Sequence, residues 1–193
     1  MSTYTSFPIT GIPLSGLNPE VTPALSDILA SVQSGVTYSL TLAQIQSLLI
    51  SNNSSFIATT AGHNNVLGNA ANYSPIFETT TENIGMNYNT STGTYTAPVN
   101  GWYVFNTCIE IGNLSSGHTN AYYYFSTSAG QFLIAYFNPY AFKYGDNLLA
   151  AISGSITIYL TAGQTCGLQL NVGNSTQTVS LANNSYFMGR QIG

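Results

Sequence analysis

An all-β sandwich is the fold class that the sequence predicts, and three observations predict it. From residue 53 onward, strand-length runs are alternating or continuously apolar, as in Gln131-Phe-Leu-Ile-Ala-Tyr-Phe137. Clusters of Gly, Asn and Ser separate these runs, as turns between short strands require. The run Trp102–Ile111 carries Tyr103, Phe105, Ile109 and Ile111 on one face and Trp102, Val104 and Cys108 on the other. A strand wet on one side would alternate in polarity, so both faces of this one call for cover.

The 193 residues suffice for one ordinary domain with a short appendage. Charged residues make up 4% of the chain, against about 25% in a typical soluble domain. With two cations and a net charge of −4, no phosphate-neutralising nucleic-acid surface and no polybasic membrane patch is expected. At 44% hydrophobic and 12% aromatic, the chain can bury a sizeable core. So few charges leave little repulsion between copies, which suits a surface covered by identical subunits or by a larger particle.

In chain order, residues 1–25 hold four of the seven prolines (Pro8, Pro13, Pro19 and Pro23) and read as an extended arm. No basic and apolar leader and no run long enough to span a membrane is read in the sequence. Asp27–Gln33 and Val36–Leu40 flank Ser34-Gly35 and read as a hairpin. Thr41 followed by Gln44 has the capping-box spacing. It opens a helix of about nine residues with Leu42, Ile45, Leu48 and Leu49 on one stripe. A helix that short needs a partner surface. Beyond it, strands are expected at Ser55–Thr59, Tyr95-Thr96, Gly101–Ile111, Ala121–Phe125, Gln131–Phe137, Ser155–Leu160, Cys166–Leu170 and Tyr186-Phe187. The boundary between appendage and head falls near residue 52, giving segments 1–52 and 53–193.

Two resemblances add to this reading. Ser26–Ile45, with its apolar strand, Gly-Val-Thr turn and helix opening in Thr-x-x-Gln-Ile, resembles a segment near the start of phage and viral fibre proteins. Tyr88-Asn-Thr-Ser-Thr-Gly-Thr-Tyr-Thr-Ala-Pro-Val-Asn-Gly-Trp-Tyr-Val-Phe105 is similar to the signature of the complement-1q globular head, a tumour-necrosis-factor-like jelly roll. Pro75-Ile-Phe77 and Asn83-Ile-Gly85 fit its preceding strands. Ser153–Leu160 with Ala162-Gly163 resembles its penultimate hairpin, and Ser185–Ile192 its closing strand. The resemblance spans about residues 53–193 and implies a ten-stranded jelly roll that assembles as a homotrimer around an aromatic threefold axis. Gln164 stands where the family usually has Asp, Cys166 stands near a usual Val, and no collagen-like stalk is present. Calcium and immune partners are therefore not carried over.

Signals for chemistry are weak. No nucleophile elbow, phosphate loop, dinucleotide motif or His-x-x-x-His occurs. His63 and His118 sit singly in Gly- and Asn-rich stretches and read as solvated loop residues. Glu78 and Glu82 flank three threonines with no sugar platform for a glycosidase. Asp146 beside Lys143 reads as a loop ion pair. Cys108 and Cys166 have no metal-ligand spacing and read as buried free thiols. Seven Asn-x-Ser/Thr sequons match chance for a chain this rich in Asn, Ser and Thr, so they say nothing about glycosylation.

The expectation is thus a non-enzymatic virion structural protein: a trimeric spike, head fibre or tail fibre, most fittingly of a bacteriophage, on the particle surface. No catalytic residue, cofactor or metal is expected. Trp102, Tyr103, Phe105, Tyr122, Tyr123, Tyr124 and Phe125 are the core and trimer-interface candidates. Leu42, Ile45, Leu48 and Leu49 are the candidates for attaching residues 1–52 to capsid or tail proteins. The Tyr/Phe-rich stretch Tyr122–Phe142 leaves a host-surface glycan open as a partner. Two other readings are a bacterial or spore-surface filament subunit and a soluble glycan-binding module.

Overall fold

A computed structural model describes residues 28–33, 36–45, 54–66, 68–144 and 149–192. The chain divides into two compact units, Met1–Gln46 and Ser47–Gly193.

In the first unit, β1 (Ile28–Gln33) and β2 (Val36–Thr41) pair antiparallel, from Ile28↔Thr41 to Gln33↔Val36. That register leaves Ser34 and Gly35 between the strands, as a two-residue hairpin connection requires. A helical turn follows at 42–45. Its cap is reciprocal: Gln44 N–H donates to Thr41 Oγ1 at 3.2 Å, and Thr41 N–H donates to Gln44 Oε1 at 2.8 Å. Leu42 and Ile45 are half-buried. Leu48, Leu49 and the proline arm lie outside the described residues.

The second unit is a two-sheet jelly roll whose strands alternate between core and solvent. The first sheet contains β3 (Ser55–Thr59), β4 (His63–Val66), β6 (Thr79–Ile84), β9 (Gly101–Gly112), β12 (Ala150–Leu160), β14 (Val179–Leu181) and β15 (Tyr186–Gln191). The second contains β5 (Asn72–Tyr73), β7 (Tyr88–Asn89), β8 (Thr94–Thr96), β10 (Asn120–Thr127), β11 (Gly130–Phe137) and β13 (Thr165–Gly173). Residues Tyr103–Cys108 pair with β12 on one edge and with β15 on the other, so β9 is a central strand. The main strands run β6-β3-β15-β9-β12 in one sheet and β7-β8-β13-β10-β11 in the other. Those ten strands form the sandwich, and β4, β14 and β5 are short additions.

Aromatic rings fill the space between the sheets. Phe56 stacks on Tyr88 at 4.5 Å and meets Phe187 edge-on at 4.9 Å. Tyr95 packs against Phe105 at 5.5 Å. Buried phenols need partners, and these have them. The Tyr95 hydroxyl donates to Ser54 Oγ, Tyr103 to the Val99 carbonyl and Tyr88 to the Phe77 carbonyl, while Tyr123 shares a bond with Thr107 Oγ1. At the 90–93 turn between β7 and β8, Gly93 has φ +68°, and a Cβ there would lie 2.4 Å from the Pro75 carbonyl oxygen. Only glycine fits that turn without strain.

Three local expectations are corrected. Pro75–Phe77 is irregular rather than a strand, although Phe77 is fully buried. β12 and β13 do not form a hairpin: the 161–164 turn carries the chain from the first sheet to the second. His118 is not solvated but fully buried.

Candidate interaction faces

Each sheet turns one face to the core and one away from it, and the register decides which side chains share the outward faces. On the first sheet, Met188 lies opposite Ile57 on one side and Asn106 on the other. Val104 lies opposite Arg190 and Thr157. Ile57, Val104, Asn106, Met188, Arg190 and Glu82 thereby line a shallow groove of about 340 Å³. At one end Trp102, 52% exposed, meets Tyr159 edge-on at 5.7 Å. Ser55 Oγ donates to Glu82 at the groove's edge.

At the other end of the same face, Glu110 is buried, and among the described residues no cation pairs with it. The Tyr144 hydroxyl and the Asn184 amide donate to its two carboxylate oxygens, and Ser185 Oγ accepts from its backbone N–H. The hydrogen bond to Glu110 holds the Tyr144 hydroxyl above its ordinary pKa. Burial first, and the Glu110 charge second, push the Cys108 thiol up, so it resists becoming a thiolate. Cys108 is half-buried rather than buried, while Cys166 is fully buried; both are free, and burial pushes the Cys166 thiol well up.

The second sheet's outward face is different. Tyr122 and Tyr136 are directly opposite across β10 and β11, with rings stacked at 4.5 Å. Tyr124 lies parallel to Tyr122 at 6.2 Å and 7°. A hydrogen bond with Tyr136 pushes the Tyr122 hydroxyl above its ordinary pKa. On β13, Asn171 lies opposite Tyr122 and Gln169 opposite Tyr124. Gln131 Nε2 donates to Gln169 Oε1, and Asn171 Nδ2 donates to Asn72 Oδ1.

The sequence-predicted residues therefore separate into three places. Tyr103, Phe105, Tyr123 and Phe125 lie in the core of the single subunit. Trp102 is on the first outward face, and Tyr122 and Tyr124 are on the second. Ile57, Met188 and Tyr159 were not singled out from sequence, and Tyr136 only as part of the Tyr122–Phe142 stretch. Their signal is the outward phase of each strand, which becomes a patch only when the register is known.

The other candidates for chemistry are dispersed. Glu78 and Glu82 are not partners: Glu78 accepts from Ala61 N–H at 2.8 Å and meets His63 Nε2 at 3.2 Å. Lys143 Nζ sits 3.6 Å from the centre of the Tyr140 ring, a cation–π contact. Asp146 lies outside the described residues. Among the described residues, no three His, Cys, Asp or Glu side chains cluster as metal ligands would.

Residues 55–190 match the C1q domain. The chain belongs to the C1q domain family. Its fold is similar to the globular domain of zebrafish complement 1qA protein, at 15% identity and a TM-score of 0.50, covering 73% of this chain and 98% of that one. It is also similar to murine APRIL, at 8% identity and a TM-score of 0.51, covering 72% and 99%. At these identities the likeness concerns the fold alone. No match is found among curated proteins.

Proposed function

We propose that this C1q-domain chain is a non-enzymatic structural protein: a homotrimer of jelly-roll heads displayed on a virus particle, most fittingly a bacteriophage, for adhesion. Residues 1–52 attach it to capsid or tail proteins. The observation that carries the trimer is the outward face of the first sheet. Ile57, Val104 and Met188 place apolar side chains there beside Asn106, extended by Trp102 and Tyr159, and among the described residues Arg190 is the only cation on it. An apolar strip on a sheet face favours cover by another copy. The attachment role is supported by the separate unit over 1–46, with its hairpin and capped helical turn, and by the resemblance of Ser26–Ile45 to fibre segments.

The test uses outward positions, so that folding is spared. The full chain carrying V104E and M188E should show wild-type circular dichroism and a monomer mass by light scattering at micromolar concentration. With Glu82 already on this face, two further carboxylates per subunit would exceed what Arg190, opposite Val104, could pair. A double variant that keeps the wild-type oligomeric mass would overturn the assignment of this face.

A further inference from the structure

The second sheet's outward face lies on the opposite side of the sandwich from the strip assigned to the trimer, so that contact does not cover it. Its chemistry points to one class of ligand. Tyr136 is 60% exposed, and its ring is backed by Tyr122, which is in turn flanked by the parallel ring of Tyr124. A stack held by two strands keeps the rings ordered, so little side-chain freedom is lost when something lies against Tyr136. Amide groups border the stack: Asn171 and Gln169 are on the neighbouring strand, and Gln131 reaches Gln169 from β11. Each bonded amide spends only part of its capacity. Gln169 Nε2, Gln131 Oε1 and Asn171 Oδ1 have no partner among the described residues. None of these six residues carries a charge, and the chain's two cations are elsewhere: Arg190 is on the other sheet, and Lys143 is on Tyr140.

From this combination we propose that the Tyr122–Tyr124–Tyr136 stack is the binding platform for an uncharged pyranose glycan. The apolar C–H face of a sugar ring lies against Tyr136, and the phenol hydroxyls and free amide groups meet its hydroxyls. A phosphorylated, sulfated or sialylated ligand would find no counter-charge on this face. Nucleic-acid bases would also stack on tyrosine, but their phosphates would lack the cations they require. The proposal rests on the adhesive reading of the head and names the class of partner that this face takes.

The experiment presents the full chain to an array holding neutral glycans (galactose-, glucose-, mannose- and N-acetylhexosamine-terminated) beside sialylated and sulfated ones. The strongest neutral oligosaccharide is then titrated by calorimetry, at low and at molar sodium chloride. At least one neutral glycan should bind with an affinity nearly independent of salt. Y136A should weaken it by about tenfold or more, the scale of one lost aromatic contact. Y136F, which keeps the ring, should weaken it by less, and Q169A should cost a few-fold. Wild-type circular dichroism of Y136A checks that its fold is intact. Binding to no neutral glycan, binding confined to charged glycans, or an affinity unchanged in Y136A would overturn the proposal. Light scattering on the same samples keeps the two readings apart. A trimer that binds no sugar contradicts the platform alone, and a monomer that binds through Tyr136 contradicts the trimer alone.

Discussion

His118 is the residue whose surroundings depart furthest from what its sequence neighbours suggest. Its Nδ1 accepts from Ser115 N–H at 2.9 Å, and its Nε2 meets the Gln177 carbonyl at 3.0 Å. With Nδ1 accepting, the ring proton sits on Nε2, and the neutral imidazole ties the 113–119 loop to the 174–178 loop. H118A should destabilise the head by about 1–3 kcal/mol, because a buried donor and acceptor lose their partner together; urea unfolding checks this. Glu78 shows a second local tie. Partial burial raises its pKa, but the Ala61 N–H, His63 and Thr60 hydrogen bonds outweigh that and hold it below its ordinary 4.5. A carboxylate with a depressed folded-state pKa contributes stability that is full above its unfolded value and is lost as pH falls through the folded one. E78Q should therefore remove part of the fall in melting temperature on acidification below about pH 4.5 and leave the shape of the curve above it unchanged. An identical acid limb in E78Q and wild type would show that the tie is not energetically felt.

At the level of elements, β9, β15 and β3 pack closely around Gly189. Gly189 on β15 lies between Phe105 and Gly189's other neighbour Phe56, and a Cβ there would approach Phe105 Cδ1 to 2.4 Å and Phe56 Cε1 to 2.8 Å. Both rings are held in the aromatic cluster, so they cannot swing away freely. G189A should cost about 1–3 kcal/mol as an overpacked core, read as a lower urea midpoint with an unchanged slope. Strands such as β9, β10 and β11 were legible in the sequence because strand-length apolar runs bounded by turn residues need no information beyond the segment itself. Sheet partners were not. Ser153–Leu160 and Cys166–Leu170 around Ala162-Gly163 carry every local sign of a hairpin, yet the turn crosses between sheets. The same limit hid the groove: Ile57, Val104 and Met188 are far apart in the chain and meet only through the β3–β15–β9 register. His118 was misread for a related reason, since the carbonyl that buries it belongs to the distant 174–178 loop.

For the whole molecule, the scarcity of charge becomes a statement about cohesion. With Lys+Arg 2 and Asp+Glu 6, few ion pairs are available to join subunits, and the strip on the first sheet is mainly apolar. The assembly should hold almost unchanged from low salt to molar sodium chloride, because screening weakens ionic contacts and leaves apolar burial intact. Dissociation on adding salt would mean that Arg190 and Glu82 carry the contact instead. On the attachment role proposed for residues 1–52, deleting them should leave a folded, trimeric head that no longer enters a particle, and L42D with I45D should do much the same. Normal copy number of the truncated protein on particles would place the attachment in the head. The central claim is that the C1q domain's first sheet joins three copies, and sedimentation equilibrium of the full chain tests it most directly. Across micromolar loading concentrations, a single species of three times 20.5 kDa is the predicted result. A single species at the monomer mass, or a mass that keeps growing with concentration as in an open filament, would contradict it.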